Sequence, residues 1–207
     1  MAGGAVSQAR AFLIGLNQND DPLFQQTLST VEQNICNALY QRETVGKGIV
    51  PIAFFTDYNC PYCRVLTRKL AILEDKPNSG IRVFWHELPI LGNTSVQAAK
   101  GALAAKRQGA YRQFHQRLMR SRFVATESYL MALASQLDID GPQLIADMQS
   151  PEIEQEIRTG KALAKLFGIV GTPALIVGRT LVMGELDEPT LERLIERERA
   201  EGPLKAC

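Results

Sequence analysis

Two cysteines stand one helical turn apart in the segment Cys60-Pro61-Tyr62-Cys63, directly after the apolar run from Ile49 to Phe55. The run predicts a strand, and a helix that begins after Cys60 would place the first sulfur at a helix N-terminus. Unpaired backbone N–H groups and the helix dipole stabilise a thiolate there. Because the thiolate is the reactive form in disulfide exchange, the segment has the residue types and spacing of a redox dithiol.

The same cysteine spacing also occurs in half of a zinc site and in haem attachment sites. A zinc site needs a second pair or histidines at ligand spacing. His86 and His115 are isolated, however, and a c-type haem site would need histidine where residue 64 is arginine. Dithiol redox chemistry is therefore the favoured interpretation, with no metal ligand set and no cofactor predicted.

The other two cysteines, Cys36 and Cys207, stand far from the pair and from each other. Four cysteines are few for a small scaffold held together by disulfides. We expect Cys36 and Cys207 to be structural or adventitious thiols, and a disulfide between them is an alternative that spacing does not decide.

Length and composition limit the class of protein. The chain has 207 residues, 45% hydrophobic content and a net charge of +1, which suits one domain with or without an insertion and does not indicate nucleic-acid binding. No apolar run approaches the roughly 20 residues that span a membrane, so a membrane-spanning protein is not predicted. The apolar patch at Ala11–Leu16 is too short for a signal-peptide core, so the protein is either cytosolic or made with a leader that is removed.

The predicted elements alternate in type along the chain. Helical spacing runs from Asp21-Pro22 to about Tyr40 and precedes the first strand. After the cysteines come a helix, a second strand, a helical block, two strands joined at Gly178-Arg179, and a last helix to about Arg199. Without the block, a βαβ unit followed by ββα remains, which is the thioredoxin layout.

We therefore predict an α/β, thioredoxin-like fold with an inserted all-helical subdomain. Residues 1–47 would form a partly helical N-terminal extension. Residues 48–92 would form the first half of the core, residues 93–150 the helical insertion, and residues 151–207 the second half.

A second chemical element is Gly171-Thr172-Pro173, just before the predicted hairpin. An X-Pro bond is usually trans. In the thioredoxin layout, however, a cis-proline loop faces the cysteines. There the residue before the proline, here Thr172, offers backbone hydrogen bonds to a bound chain.

Several segments together resemble the DsbA-like thiol:disulfide oxidoreductases, and most closely the branch that contains BdbD and ScsC-type proteins. The resemblance covers about residues 48–199. It rests on an Ala-rich helix and on the segments Phe55–Cys63, Leu88–Gly92 and Gly168–Ala174.

The resemblance implies a role for each candidate site residue. Cys60 would be the exposed attacking cysteine and Cys63 its buried partner, with Pro61 and Tyr62 supporting the motif between them. Thr172-Pro173 would be the substrate-facing loop.

The implied activity is disulfide exchange with protein thiols, most simply DsbA-like oxidation with a separate redox partner protein. This favours a periplasmic or other extracytoplasmic location, with a cytoplasmic one still open. Reduction potentials span roughly 150 mV among thioredoxin-fold enzymes, and Pro61-Tyr62 does not fix the value. A disulfide isomerase and a glutathione-linked reductase therefore stay open, as does an oligomeric chaperone or metal-binding protein that uses the thiols as ligands.

The sequence departs from the family at one position. Relatives usually carry a buried acid six residues before the first cysteine, where this chain has Phe54. Proton transfer at the buried thiol must then use water or another group. Arg64, Arg68 and Lys69 follow the pair, and they either favour the thiolate or form a solvated helix face.

Two further features of the resemblance concern structure more than chemistry. His115 falls in the family's inserted helix, and we expect it, like His86, to be structural. We expect the N-terminal extension to pack on the core, while a homo-oligomer built on it is the alternative.

Overall fold

The computed structural model describes residues 21–41, 45–46 and 48–204. Its centre is a sheet of four strands, β1 (Val50–Thr56), β2 (Ile81–Glu87), β3 (Ala174–Val177) and β4 (Thr180–Met183). The strands lie in the order β2-β1-β3-β4. β1 is parallel to β2 and antiparallel to β3, and β4 is antiparallel to β3.

Helices surround this sheet. Those of the described residues are α1 (Pro22–Gln33), α2 (Ile35–Leu39), α3 (Pro61–Asp75), α4 (Asn93–Arg107), α5 (Tyr111–Arg120), α6 (Glu127–Ser135), α7 (Gly141–Asp147), α8 (Pro151–Leu166) and α9 (Glu188–Ala200). Helices α4 to α7 separate β2 from α8 and the hairpin, which confirms the thioredoxin-like fold with a helical insertion. The limits placed on the four segments of the chain stay predictions.

The first strand is buried along its whole length. Ile52 and Phe54 belong to an apolar cluster with α3 and the insertion, whereas Ala53 and Phe55 belong to a second cluster with α1 and α8. A strand covered on both faces reads as a continuous apolar run rather than an alternating one. This burial fixes the direction in which the chain enters the cysteine segment.

The single helix predicted up to Tyr40 is two helices in the structure. The Asp21 side chain accepts a hydrogen bond from the N–H of Leu23, which caps α1 at its predicted start. The helix stops at Asn34, whose N–H bonds the carbonyl of Val31. Phe24 and Val31 are buried in the second apolar cluster, so the described part of the extension packs on the core.

The cysteine of α2 is not a free thiol. Cys36 is disulfide-bonded, which makes it a structural cysteine. Cys207 lies outside the described residues. None of the helices in the described ranges is both long enough and apolar enough to cross a membrane.

Candidate active site

Cys60 is the N-cap residue of α3, as the sequence predicted. Its backbone N–H bonds the carbonyl of Asp57 at 3.1 Å, and Pro61 takes the first helical position, where a missing N–H is tolerated. The Cys60 sulfur accepts a hydrogen bond from the N–H of Cys63 at 3.2 Å. The sulfur thus takes the capping place that a serine or aspartate oxygen usually fills.

The expectation that Cys60 is the exposed cysteine is wrong for the side chain as a whole. Cys60 is 3% exposed and Cys63 is fully buried, and both are free thiols. Cys60 is covered because its sulfur lies against the backbone of Thr172 and belongs to the same apolar cluster as Cys63. Tyr62, which stands between them, is 57% exposed.

The two thiols differ sharply in acidity. The side chain of Cys63 hydrogen-bonds Cys60 and, against the cost of burial, lowers the pKa of Cys60 to about 6. The N–H of Cys63, the side chain of Thr172 and the backbone of Tyr62 contribute further. Burial raises the pKa of Cys63, and its interaction with Cys60 adds to the effect. Cys60 therefore carries the thiolate while Cys63 keeps its proton.

The loop before β3 lies directly against this pair. The peptide bond between Thr172 and Pro173 is cis, and the Cys60 thiol lies 3.4 Å from the carbonyl oxygen of Thr172. The Thr172 hydroxyl is buried and makes no hydrogen bond of ordinary length within the described part of the chain, but it lies close enough to both sulfurs to lower the pKa of each cysteine. The structure thus brings all four of the principal candidate residues together.

Two of the cations that follow the pair, Arg64 and Lys69, bind groups other than the sulfurs. Arg64 donates to the carbonyl of Tyr58 from two nitrogens, at 3.2 and 2.9 Å, and also to the carbonyl of Ser121. Lys69 donates to the Leu186 carbonyl and pairs with the Glu185 carboxylate. Arg64 therefore holds the active-site loop in place, and neither charge is directed at the sulfurs.

Phe54 is completely buried at the position where relatives usually carry an acid. Its ring meets the edge of Trp85, with ring centroids 5.5 Å apart. The position therefore offers packing and no proton, and two other buried acids lie near the site instead.

The first of these acids is Asp57, which the sequence analysis missed. One carboxylate oxygen accepts from the N–H of Asn59 at 2.7 Å and the hydroxyl of Ser95 at 2.6 Å. The other accepts from the N–H groups of Ile90 and Leu91, at 2.8 and 3.0 Å. Asp57 thereby ties the active-site loop to the loop after β2. Its position at the end of an apolar strand was the available signal.

The second acid is Glu87 at the end of β2, which the sequence analysis also missed. Its Oε1 accepts hydrogen bonds from the hydroxyls of Tyr58 and Tyr111, at 2.7 and 2.8 Å. The Nδ1 atom of His115 lies 2.7 Å from the Tyr58 hydroxyl. A charged residue at the end of the strand was the signal in the sequence.

Both histidines lie in buried positions away from solvent. His86 contacts the carbonyl of Leu39 at 2.8 Å through Nε2, and burial lowers the pKa of His86 to about 4. His86 is therefore neutral at physiological pH. Within the described ranges, no three His, Cys, Asp or Glu side chains converge as a metal-binding group.

Two solved structures illustrate what this architecture is similar to. A thioredoxin-like oxidoreductase from Silicibacter pomeroyi DSS-3 is 35% identical, with a TM-score of 0.72 over 79% of this chain and 97% of that chain. A periplasmic thioredoxin-like protein from Salmonella enterica serovar Typhimurium is 29% identical, with a TM-score of 0.67 over 81% of this chain and 97% of that chain.

Sequence comparisons match curated relatives of two kinds and one family model. A probable disulfide bond formation protein D from Bacillus anthracis is 25% identical over 76% of this chain and 78% of its own length. The Na(+)/H(+) antiporter NhaA of Herminiimonas arsenicoxydans is 24% identical over 70% of this chain, which spans only 23% of that protein. The sequence model of the DSBA-like thioredoxin domain matches residues 51–196. The chain belongs to the DsbA-like thioredoxin domain family, whose members are thiol-disulfide oxidoreductases.

Proposed function

We propose that the protein oxidises pairs of cysteine thiols in other proteins, with Cys60 and Cys63 as its redox-active pair. The observation that carries this proposal is the contrast between the two thiols. The pKa of Cys60 is lowered to about 6, while burial raises that of Cys63. Because of this contrast, Cys60 can leave as a thiolate while Cys63 keeps its proton.

The reaction begins with the pair as a disulfide. A substrate thiolate attacks the Cys60 sulfur, the bond between Cys60 and Cys63 breaks, and Cys63 leaves with the electron pair and takes up a proton. A second substrate thiolate then attacks the substrate sulfur bound to Cys60 and expels Cys60 as a thiolate. The substrate loses two electrons and the enzyme gains them, so the products are a substrate disulfide and a reduced enzyme.

The loop at Thr172-Pro173 is proposed to hold the substrate chain during this exchange. The carbonyl of Thr172 lies 3.4 Å from the Cys60 sulfur, so a chain that reaches Cys60 passes along this backbone. Tyr62, which lies between the two cysteines, is 57% exposed. Val170, which lies two residues before Thr172, is 69% exposed. These exposed side chains favour an apolar segment of an unfolded protein as the substrate.

The direction of electron flow follows from which redox state is favoured. A stabilised thiolate favours the reduced form and makes the disulfide a stronger oxidant. A pKa of about 6 lies between about 7 in thioredoxin and about 3.5 in DsbA. We therefore propose an oxidant that a separate redox partner protein returns to the disulfide form, in preference to an isomerase or a glutathione-linked reductase.

We also propose that the protein works in the periplasm or another extracytoplasmic space. Cys36 is disulfide-bonded, and structural disulfides persist mainly in oxidising compartments. The Salmonella protein with this fold is periplasmic.

The proposal is tested by the catalysed oxidation of a reduced, unfolded protein. We expect Cys60→Ser to abolish catalysis, because no mixed disulfide forms. The matched variant Cys63→Ser should instead accumulate a mixed disulfide at Cys60, visible by mass under non-reducing conditions. Full activity of Cys60→Ser would refute the proposal.

A further inference from the structure

A buried polar cluster lies between the active-site loop, the end of β2 and helix α5. We call it the Glu87 cluster, and it consists of Tyr58, Glu87, Tyr111 and His115. The side chains of Glu87 and His115 are only 2% and 1% exposed. The redox chemistry described above uses none of these groups, so their burial needs another explanation.

The hydrogen bonds of the cluster fix where its protons lie. A phenol has one proton to donate, and Tyr58 and Tyr111 both approach the same oxygen, Oε1 of Glu87. Since the Tyr58 proton is directed to Glu87, its oxygen accepts from Nδ1 of His115 at 2.7 Å. An oxygen that accepts two short hydrogen bonds suits a carboxylate, and with Glu87 in that form the arrangement places a proton on Nδ1 of His115.

A buried carboxylate requires a compensating charge, because desolvation of a single ion is costly. Nδ1 of His115 lies 3.8 Å from Oε1 of Glu87 and provides that charge when the ring is protonated. Glu156 of α8 acts on Tyr111 from farther away and is itself paired with Lys106 at 2.5 Å. His115 is therefore the group placed to neutralise Glu87.

Two atoms of the cluster have no partner in the described part of the protein. They are Oε2 of Glu87 and Nε2 of His115, and both are buried. Buried polar atoms are usually satisfied, so these two need an explanation, and a redox role is one of those known for such atoms.

The Glu87 cluster is connected to the cysteines through Tyr58. Tyr58 lies two residues before Cys60 and packs in the same apolar cluster as both cysteines. Its carbonyl is held by Arg64, and its hydroxyl is held by Glu87 and His115. The segment that leads into Cys60 is thus held at both the backbone and the side chain of Tyr58.

The cluster also lies on the side of the sheet where relatives place an acid. Glu87 pairs with Thr56 and Trp85 with Phe54 in the register of β1 and β2. Because alternate residues of a strand share a face, Glu87 and Phe54 belong to the same face of the sheet. The carboxyl group that Phe54 replaces has a counterpart on the neighbouring strand.

We propose that Glu87 and His115 form a buried ion pair that acts through Tyr58 as a positioning element for the redox pair, and that its two charges set how readily the Cys60 thiolate forms. This inference rests on the proposed redox role of Cys60. Glu87 disfavours a nearby thiolate, whereas His115 favours it. These two opposing effects on the Cys60 thiolate take the place of the acid that relatives usually carry at the position of Phe54.

Charge variants test this proposal by the sign of their effects. Glu87→Gln removes a negative charge and should lower the Cys60 pKa below about 6. His115→Gln removes a positive charge and should raise it. Each should shift the thiolate titration, because a unit charge inside a protein is only partly screened. The double variant should return close to the parent value.

The measurement is the ultraviolet absorbance of the thiolate against pH in the reduced protein. Glu152→Gln is the matched control, because it removes the same charge from a side chain that is 72% exposed, and it should leave the titration unchanged. Opposite shifts in the two variants support the proposal. Shifts of equal sign, or lowered thermal stability with an unchanged titration, would overturn it.

A second measurement does not depend on the variants folding. The ¹⁵N chemical shifts of His115 in the unmodified reduced protein should show a proton on Nδ1, the nitrogen that lies 2.7 Å from the Tyr58 hydroxyl, and an Nδ1 without a proton would also overturn the proposal. These outcomes are separable from the proposed function. If the parent protein fails to oxidise thiols, the function fails. If it oxidises thiols and the variants leave the Cys60 titration unchanged, only this inference fails.

Discussion

The sulfur of Cys60 lies 3.4 Å from the carbonyl oxygen of Thr172, although 112 residues separate the two in sequence. β1 and β3 are adjacent antiparallel strands, so the loop that enters β3 meets the loop that leaves β1. The reactive thiol and the backbone proposed to hold its substrate are therefore positioned by one pair of strands. Thr172 also supplies a hydroxyl that contributes to lowering the Cys60 pKa.

One prediction concerns the effect of the Thr172 hydroxyl on the Cys60 pKa, which can be tested without moving the Thr172 backbone. Thr172→Val keeps the shape of the side chain and removes its hydrogen-bond donor, so we expect the Cys60 pKa to rise above about 6. A pH titration of thiolate absorbance or of alkylation rate measures the change. Thr172→Ser keeps the hydroxyl and serves as the control. An unchanged pKa in Thr172→Val would mean that the hydroxyl does not stabilise the thiolate.

The stability of the reduced protein should depend on pH through Cys60. Its folded pKa of about 6 is below its ordinary value near 9. An acid with a depressed pKa contributes stability above its unfolded value and loses it as the pH falls through the folded value. Between pH 6 and pH 8 the free energy of unfolding should therefore rise relative to Cys60→Ser. Chemical denaturation at several pH values checks this, and a difference that stays constant would contradict it.

Much of the fold could be predicted from the sequence, because the local sequence patterns agree with the tertiary packing. The run before Cys60 is β1, Pro61 opens α3, and the two strands around Gly178-Arg179 form the predicted hairpin. Asn34 was harder to predict, since the apolar spacing continues across it while the backbone leaves the helix there. The spacing of apolar residues predicts which face of a helix is buried, but it does not predict where the backbone hydrogen bonding is interrupted.

Contacts between distant segments could not be derived from local patterns. The burial of Cys60 depends on the loop at Thr172, and the environment of His115 depends on Glu87 and Tyr58 from two other segments. Polar residues at strand ends were the visible signal for both buried acids. Their roles emerged only from hydrogen bonds to other segments, which join Asp57 to the loop after β2 and Glu87 to Tyr58 and Tyr111.

Close packing at the end of β2 gives a prediction about stability. A Cβ atom on Gly160 of α8 would clash with the Glu87 carbonyl oxygen. Although alanine normally favours a helix over glycine, Gly160→Ala should destabilise the protein by about 1–3 kcal/mol because backbone must move. Gly141→Ala is the control, since its Cβ would meet nothing closer than 3.8 Å. Thermal or chemical denaturation compares the two, and equal stability would show that α8 shifts without cost.

The measurement that tests the account most directly is the reduction potential of the Cys60–Cys63 pair, determined in glutathione redox buffers. The stabilised Cys60 thiolate predicts an oxidising couple, with a potential between about −200 and −120 mV. Cys36→Ser is a suitable control, because it removes the structural cysteine and should leave this potential unchanged. A potential near −270 mV would identify a reductase and contradict the proposed direction of electron flow.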